Sequence, residues 1–362
     1  TWRSVQYSSL GPKVIARSSR HTTAGIYRIV WRGAEEDNKS PASLRSFSYN
    51  RSMHRFTLIL ILISASACSD PGNAPVSEKT PGVRPVVIGK LEDGVIREAS
   101  GLARSLRQEN TLWVINDNGA REWVHAINPR GARLGEFDLK KSKNKDWEDL
   151  ASFRLDDTPY LMIADIGDND ARHKTRTLYF VEEPKAEKKK KEKLAWRVDF
   201  KYPNGPRDAE AAAVDIDNAR VLVLSKRDIP PSLYELPLKT DDDKKVTARW
   251  LGTIRSLPAP SRQDVEFAPK TKDWHWQPVG MDFSQDNLAA VILTYRAVYY
   301  YTRQPDQTWF DALNTKPRRV SLGNFRNAEA IAFGDDRRRV IVTGENRHSP
   351  ILLIDFSEAP VE

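Results

Sequence analysis

Between residues 84 and 362 the apolar positions gather in short runs and show no sustained helical spacing. The runs at 112–115, 160–164, 221–224, 289–293 and 340–343 are rich in Val, Ile, Leu and aromatic residues, and turn formers bound each one. That pattern predicts strands. No long amphipathic helix is expected, and the segment is long enough for one sizeable core.

A second pattern lies over the first. A motif of the form acid-small-x-apolar-Ala begins at Glu98, Glu148, Glu210 and Glu329, with a degenerate copy at Val279-Gly280-Met281-Asp282-Phe283; the copies are about 50 to 70 residues apart. Self-similarity at such a period points to a repeat architecture with one sheet per copy. Blade one is expected at 100–105, 111–116, 122–127 and 132–138, and blade two at 149–155, 160–165, 177–182 and 194–201. The last copy supplies only three strands, 329–334, 340–344 and 351–356, so 84–91 is expected to close the ring as its fourth. Closure by strands from both ends removes an open sheet edge. The fold is therefore read as an all-β, five-bladed β-propeller. A sixth blade stays open as an alternative, because 238–278 is long and 265–268 could hold another copy.

Propeller geometry places the loop leading into the first strand and the loop joining the second and third strands on the same face. Glu98, Glu148, Glu210 and Glu329 then converge at the channel mouth. Asp117, Asp146, Asp165, Asp168, Asn169, Asp208, Lys226, Arg227, Arg296, Glu345 and Asn346 surround them as substrate-binding or supporting groups. Converging carboxylates repel at low dielectric and call for a cation, shared protons or basic partners. Oxygen ligands without thiols suit a hard cation, Ca²⁺. The competing reading is that each glutamate caps backbone N–H groups of a neighbouring blade. His173, His275 and His348 lie in the same set of loops. Trp113, Trp123, Trp147 and Trp250 read as blade packing, and the lysine run 185–193 as a solvated loop.

Ahead of the repeats, Met53-His54-Arg55-Phe56-Thr57 leads into six aliphatic residues, then Ser64-Ala65-Ser66-Ala67 before the single cysteine, Cys68. A basic start, a short apolar run and small residues form an export signal, too short to span a bilayer. The ending resembles a bacterial lipobox, which makes Cys68 the lipid-attachment residue. The expected organisation is a start-site extension over 1–52, the signal over 53–67, a flexible tether over 68–83 and the propeller over 84–362. Residues 1–52 carry nine Lys/Arg against three Asp/Glu, and without them net charge falls from +8 to +2. The basic balance is thus no argument for nucleic-acid binding. Glycine-rich dinucleotide and phosphate loops and the Gly-x-Ser-x-Gly elbow are absent from the sequence.

The pieces 146–151, 164–169, 202–205, 208–211 and 329–332, in that order, resemble a family of largely uncharacterised exported bacterial β-propeller lipoproteins. The glutamate-plus-small-residue pattern is similar, more loosely, to calcium-activated nucleotidases (apyrases). Their resemblance implies channel-mouth glutamates on Ca²⁺, whereas phytase-like propellers are similar in fold alone. Two functions follow as expectations. One is a monomeric binding module of the bacterial envelope, held by Cys68 at the outer membrane facing the periplasm and taking a small anionic ligand or an envelope protein or glycan. The other is a Ca²⁺-dependent hydrolase of a phosphate ester or other anionic substrate.

Overall fold

The computed structural model describes residues 83–358 apart from 118, 241–243, 259–261, 263–265 and 267–276, together with backbone at 3–4 and 15–16. The chain divides after Ala74, and of the first unit only the antiparallel pairing of Arg3–Ser4 with Ile15–Ala16 is described. The signal 53–67, Cys68, all but the last residue of the tether, and His275 lie outside the described residues.

The second unit is a five-bladed β-propeller. Blade one runs Ala99–Arg104, Leu112–Asn116, Trp123–Ile127 and Arg133–Lys140 from the axis outward; blade two runs Trp147–Leu155, Thr158–Asp165, Arg176–Glu182 and Trp196–Lys201. Blade three is Ala209–Asp215, Arg220–Ser225, Ser232–Pro237 and Arg249–Thr253; blade four is Pro278–Phe283, Ala289–Thr294, Ala297–Thr302 and Arg318–Ser321. Blade five takes Ala328–Phe333, Arg339–Gly344 and Pro350–Asp355 from the C-terminal end, and Val86–Lys90 completes it by pairing antiparallel with Pro350–Asp355. The ring thus closes with the expected strand. The degenerate copy at Val279 is a full blade, and the five sheets account for every long strand among the described residues.

Apolar runs in place of strict alternation have a simple cause. Each second strand is buried along nearly its whole length because its sheet is covered on both faces by neighbouring blades. The core accordingly forms five clusters, one in each gap between successive blades. Trp113 and Trp147 fill the gap between blades one and two as expected, whereas Trp250 is half exposed on an outer strand.

The lysine run departs from the solvated-loop expectation. Its end, Lys190–Lys193, forms a fifth strand that runs parallel to the outer strand Arg133–Lys140 of the preceding blade. Val246–Thr247 extends blade two in the same way. These pairings are made by backbone, so no side-chain pattern announces them, and lysines on the new edge discourage further pairing. Among the described residues no helix is long and apolar enough to cross a membrane.

Candidate functional site

One irregularity recurs in all five blades. The ladder between first and second strands shifts register near its start, leaving one residue of the first strand bulged: Ser100, Glu148, Glu210, Val279 and Glu329. A bulge re-aims its side chain, here toward the channel mouth. The next position is where first strands of adjacent blades crowd together. A Cβ on Gly101 would lie 2.7 Å from Leu150 N, and one on Gly280 would lie 3.0 Å from Ile331 Cγ2. That crowding explains the small residue of the motif.

The bulge also sets which residues are equivalent. Glu148, Glu210 and Glu329 share the bulged position with Ser100 and Val279. Glu98 lies two residues earlier, level with Asp146 and Asp208. It bridges to Glu345 across the closure of the ring, and its N–H donates to Asn116 Oδ1 (3.2 Å). The four glutamates therefore do not form one equivalent ring.

Glu148, Glu210 and Glu329 are each more than nine-tenths buried, and one ammonium, that of Lys226, lies among them. Lys226 pairs closely with Glu210. Burial works against its charge, yet Glu210, Glu148 and Glu329 hold its pKa above the ordinary lysine value. Lys226 by itself brings one positive charge to several carboxylates. Burial, with Glu210, Asp117 and Asp146 nearby, pushes Glu148 well above its usual range, and burial brings Glu210 to about 7 even beside Lys226. Glu329 rises well above its usual value through burial and the charges of Glu210 and Glu345. Glu329 and Glu345 share a hydrogen bond, which requires a proton between them, and Tyr295 also bonds Glu329.

The tightest grouping lies to one side of the axis, where blades one and two meet. Oxygen atoms of Asp117, Asp146 and Glu148 all fall within 4.8 Å of one another. Asp146 is 8% exposed, and its Oδ1 has no hydrogen-bond partner. Burial, then Asp117, raises its pKa to about 7. Backbone contacts hold the three in place. Asn144 Nδ2 donates to the carbonyls of Asn116 (3.1 Å) and Asp117 (3.2 Å), while its Oδ1 accepts Trp147 N–H (3.1 Å). Asp165 Oδ1 accepts Asp146 N–H (3.0 Å). Gly167 leaves the space these carboxylates use, since a Cβ there would stand 2.1 Å from Glu148 Oε1 and 2.7 Å from Asp146 Oδ2.

The remaining expected residues divide into those that build the rim and those that face outward. Asp165 is committed to the buried Arg176 (3.0 Å). Asp168 accepts the N–H groups of Arg172 (3.0 Å) and His173 (2.8 Å) and meets the His173 ring at 2.9 Å, as a turn-forming residue does. Asp208 accepts Asp168 N–H (2.9 Å) and Arg227 Nε (2.6 Å), and Arg227 reaches on to Asn169. These tie blade two to blade three. Arg296 is buried in the corresponding loop of blade four. Asn346 has φ 88° at the turn beyond Glu345 and donates its N–H to Arg97 O (2.8 Å). His348 Nδ1 meets Leu91 O at 2.9 Å, which engages it in the closure.

Two residues were missed by sequence reasoning. Asn144 carries no motif and acts only through backbone groups. Asp149 breaks the small-residue rule at the crowded position, and that departure was a usable signal. Its Oδ2 accepts N–H groups of Ala212 in blade three (2.8 Å) and Met281 in blade four (3.0 Å), across the channel.

No protein-family model matches the chain, and no curated protein matches it. Among solved structures, the crystal structure of the major Malassezia sympodialis allergen Mala s 1 is similar, with a TM-score of 0.48 and 10% sequence identity over 74% of this chain and 96% of that one.

Proposed function

We propose that the chain is a ligand-binding propeller that holds a divalent cation, Ca²⁺, at its acidic channel mouth through Asp117, Asp146 and Glu148. The carrying observation is the convergence of three carboxylates, one of which, Asp146, also has a buried Oδ1 without a hydrogen-bond partner. Ca²⁺ takes oxygens at about 2.4 Å, so ligand oxygens on one ion stand no more than about 4.8 Å apart, a limit that these three satisfy. The cation would leave coordination positions for an anionic ligand, such as an envelope glycan or a carboxylate- or phosphate-bearing small molecule, with Arg227 at the rim. Glu210 is already matched by Lys226, and Glu329 by Tyr295 and Glu345. They are therefore assigned to supporting the site.

Titration calorimetry with CaCl₂, paired with melting curves in Ca²⁺ and in chelator, tests this. Saturable binding and a rise in melting temperature are expected, both lost in Glu148→Gln and Asp146→Asn and retained in Glu210→Gln. Absence of both heat and stabilisation in the unsubstituted chain removes the cation. Ca²⁺-dependent turnover of phosphate esters or nucleotides that disappears in Glu148→Gln would replace the binding module with a hydrolase.

The envelope address is a separate proposal, supported by the signal-like segment 53–67 and Cys68. In cells expressing the precursor, Cys68→Ala should move the protein from the membrane to the soluble fraction.

A further inference from the structure

The opposite end of the axis carries a different chemistry. Where first strands turn into second strands, blades one to four enclose a cavity of about 350 Å³. Phe153, Val214 and Phe283 give it an apolar floor, and Arg104, Arg154 and Ser152 stand among its polar lining. This volume lies within the range of small-molecule sites, about 300–1,000 Å³. Blade two makes the cavity possible. Its first strand, Trp147–Leu155, is nine residues long against six or seven in the other blades, and it carries Phe153 and Arg154 into the opening.

The polar groups leave a net positive lining. Arg154 Nη1 and Nη2 donate to the carbonyls of Asp157 (2.9 Å) and Leu106 (2.6 Å), so the guanidinium is held in place by neutral groups. Among the described residues no carboxylate pairs with it. The one carboxylate that forms a salt bridge with Arg104 among the described residues is Asp335, at 3.6 Å, whose side chain is 73% exposed. Such a loose surface pair retains little of its Coulomb energy. Burial holds Asp282, beside the floor residue Phe283, up to about 7, so near neutrality it leaves much of the Arg104 charge uncancelled. Ser152 is buried, and its hydroxyl makes no hydrogen bond among the described residues, while its carbonyl accepts Gln285 Nε2 (3.0 Å). The cavity thus offers two guanidiniums and a free hydroxyl above aromatic and aliphatic walls.

We infer that this cavity is a second binding site, for a small organic acid with a compact apolar body whose carboxylate meets Arg104 and Arg154 while Ser152 donates a hydrogen bond. Guanidinium forks match a carboxylate in geometry and charge, and the phenyl walls exclude water from the body of the ligand. The site does not depend on the acidic mouth. Asp149 bonds across the channel between the two ends.

Benzoate and hexanoate are the probes, with benzyl alcohol as the uncharged comparison, read by saturation-transfer NMR and calorimetry on the folded chain. At least one acid is expected to bind, more weakly at high salt and unchanged by chelator or by Glu148→Gln. Arg104→Gln and Arg154→Gln should each weaken binding by about 10-fold or more, the loss of a charge-assisted hydrogen bond. Arg104→Lys, which keeps the charge but not the fork, should fall between, and also covers the case in which Arg104→Gln fails to fold. Binding of neither acid overturns the inference. So does binding undiminished in Arg104→Lys and Arg154→Gln, or binding lost in Glu148→Gln, which would place the probe at the acidic end.

Discussion

Asp282→Asn gives a prediction whose sign changes with pH. Asp282 ends the apolar stretch of a first strand; its two oxygens accept the N–H groups of Phe283 (2.9 Å) and, in the next blade, Phe333 (2.8 Å). Burial raises its pKa from 3.8 to about 7 in spite of those donors and of Arg104. The fold therefore favours the neutral acid. Its contribution is complete below the unfolded value near 4 and is lost as pH rises through about 7. A shift of roughly three units is worth ~4 kcal/mol at 1.36 kcal/mol per unit.

Asparagine mimics the neutral acid at every pH, but its amide nitrogen cannot accept a hydrogen bond. One of the two backbone donors loses its partner, a cost of about 1 kcal/mol. The variant should be about 1 kcal/mol less stable than the unsubstituted chain at roughly pH 3 and about 3 kcal/mol more stable at roughly pH 8, where the parent must hold a buried charge. The stability profiles should cross at roughly pH 4.5. Urea unfolding followed by tryptophan fluorescence at half-unit pH steps reads this directly. Other raised carboxyls, Glu148 and Glu329 among them, tilt both profiles alike and cancel in the difference. Two parallel profiles, with the variant less stable throughout, would mean that Asp282 is ionised in the folded state and would refute the reasoning.

Other perturbations probe other links. Lys226→Met strands Glu210 in a buried site and should cost about 3–5 kcal/mol at pH 8; the loss should shrink at pH 5, where Glu210, whose pKa is about 7, is protonated. Asp149→Ala leaves the buried N–H groups of Leu150, Ala212 and Met281 without their acceptor, so chemical denaturation should show a loss of at least 3 kcal/mol, about 1 kcal/mol or more for each. Deleting 84–90 exposes the ladder of Pro350–Asp355. Because Val86 and Val87 are themselves exposed, little apolar burial is lost with them. Concentration-dependent association on size-exclusion chromatography should therefore appear well below the melting temperature.

Most of the architecture was legible because propeller blades repeat their chemistry. The unalternating apolar runs, the acid-small motif and the missing fourth strand of the last copy each map onto a physical requirement: burial on both faces, crowding at the axis, and closure. Reading equivalence from spacing failed at Glu98. The motif Glu98-Ala99-Ser100-Gly101 resembles Glu148-Asp149-Leu150 in composition, but the bulge aligns Gly101 with Asp149 and puts Glu98 two residues out of step. A bulge adds a residue without changing residue types, so composition alone cannot reveal it. The grouping of Asp117 and Asp146 with Glu148 was equally hidden in the sequence. Glu210 stays near Glu148, and Asp146 and Asp117 join it because loops from blades one and two meet there through Asn144.

Asp149 stands between the two ends of the channel. At every other blade the corresponding residue is Gly or Ala, as first strands leave no room between them. Asp149 instead extends across the channel, and one carboxylate oxygen holds N–H groups from two further blades. Any ligand passing from the acidic mouth to the arginine-lined cavity would have to break both hydrogen bonds and strand buried donors. Under the two proposals, opposite charges at the two ends would select opposite ligands: a cation at Asp117, Asp146 and Glu148, and an organic acid at Arg104 and Arg154. Occupation of one end can reach the other through first-strand backbone and through the charges of Asp149, Asp282 and Arg104. If cation binding changes benzoate affinity, hydrogen exchange at Leu150, Ala212 and Met281 is where that coupling would be visible.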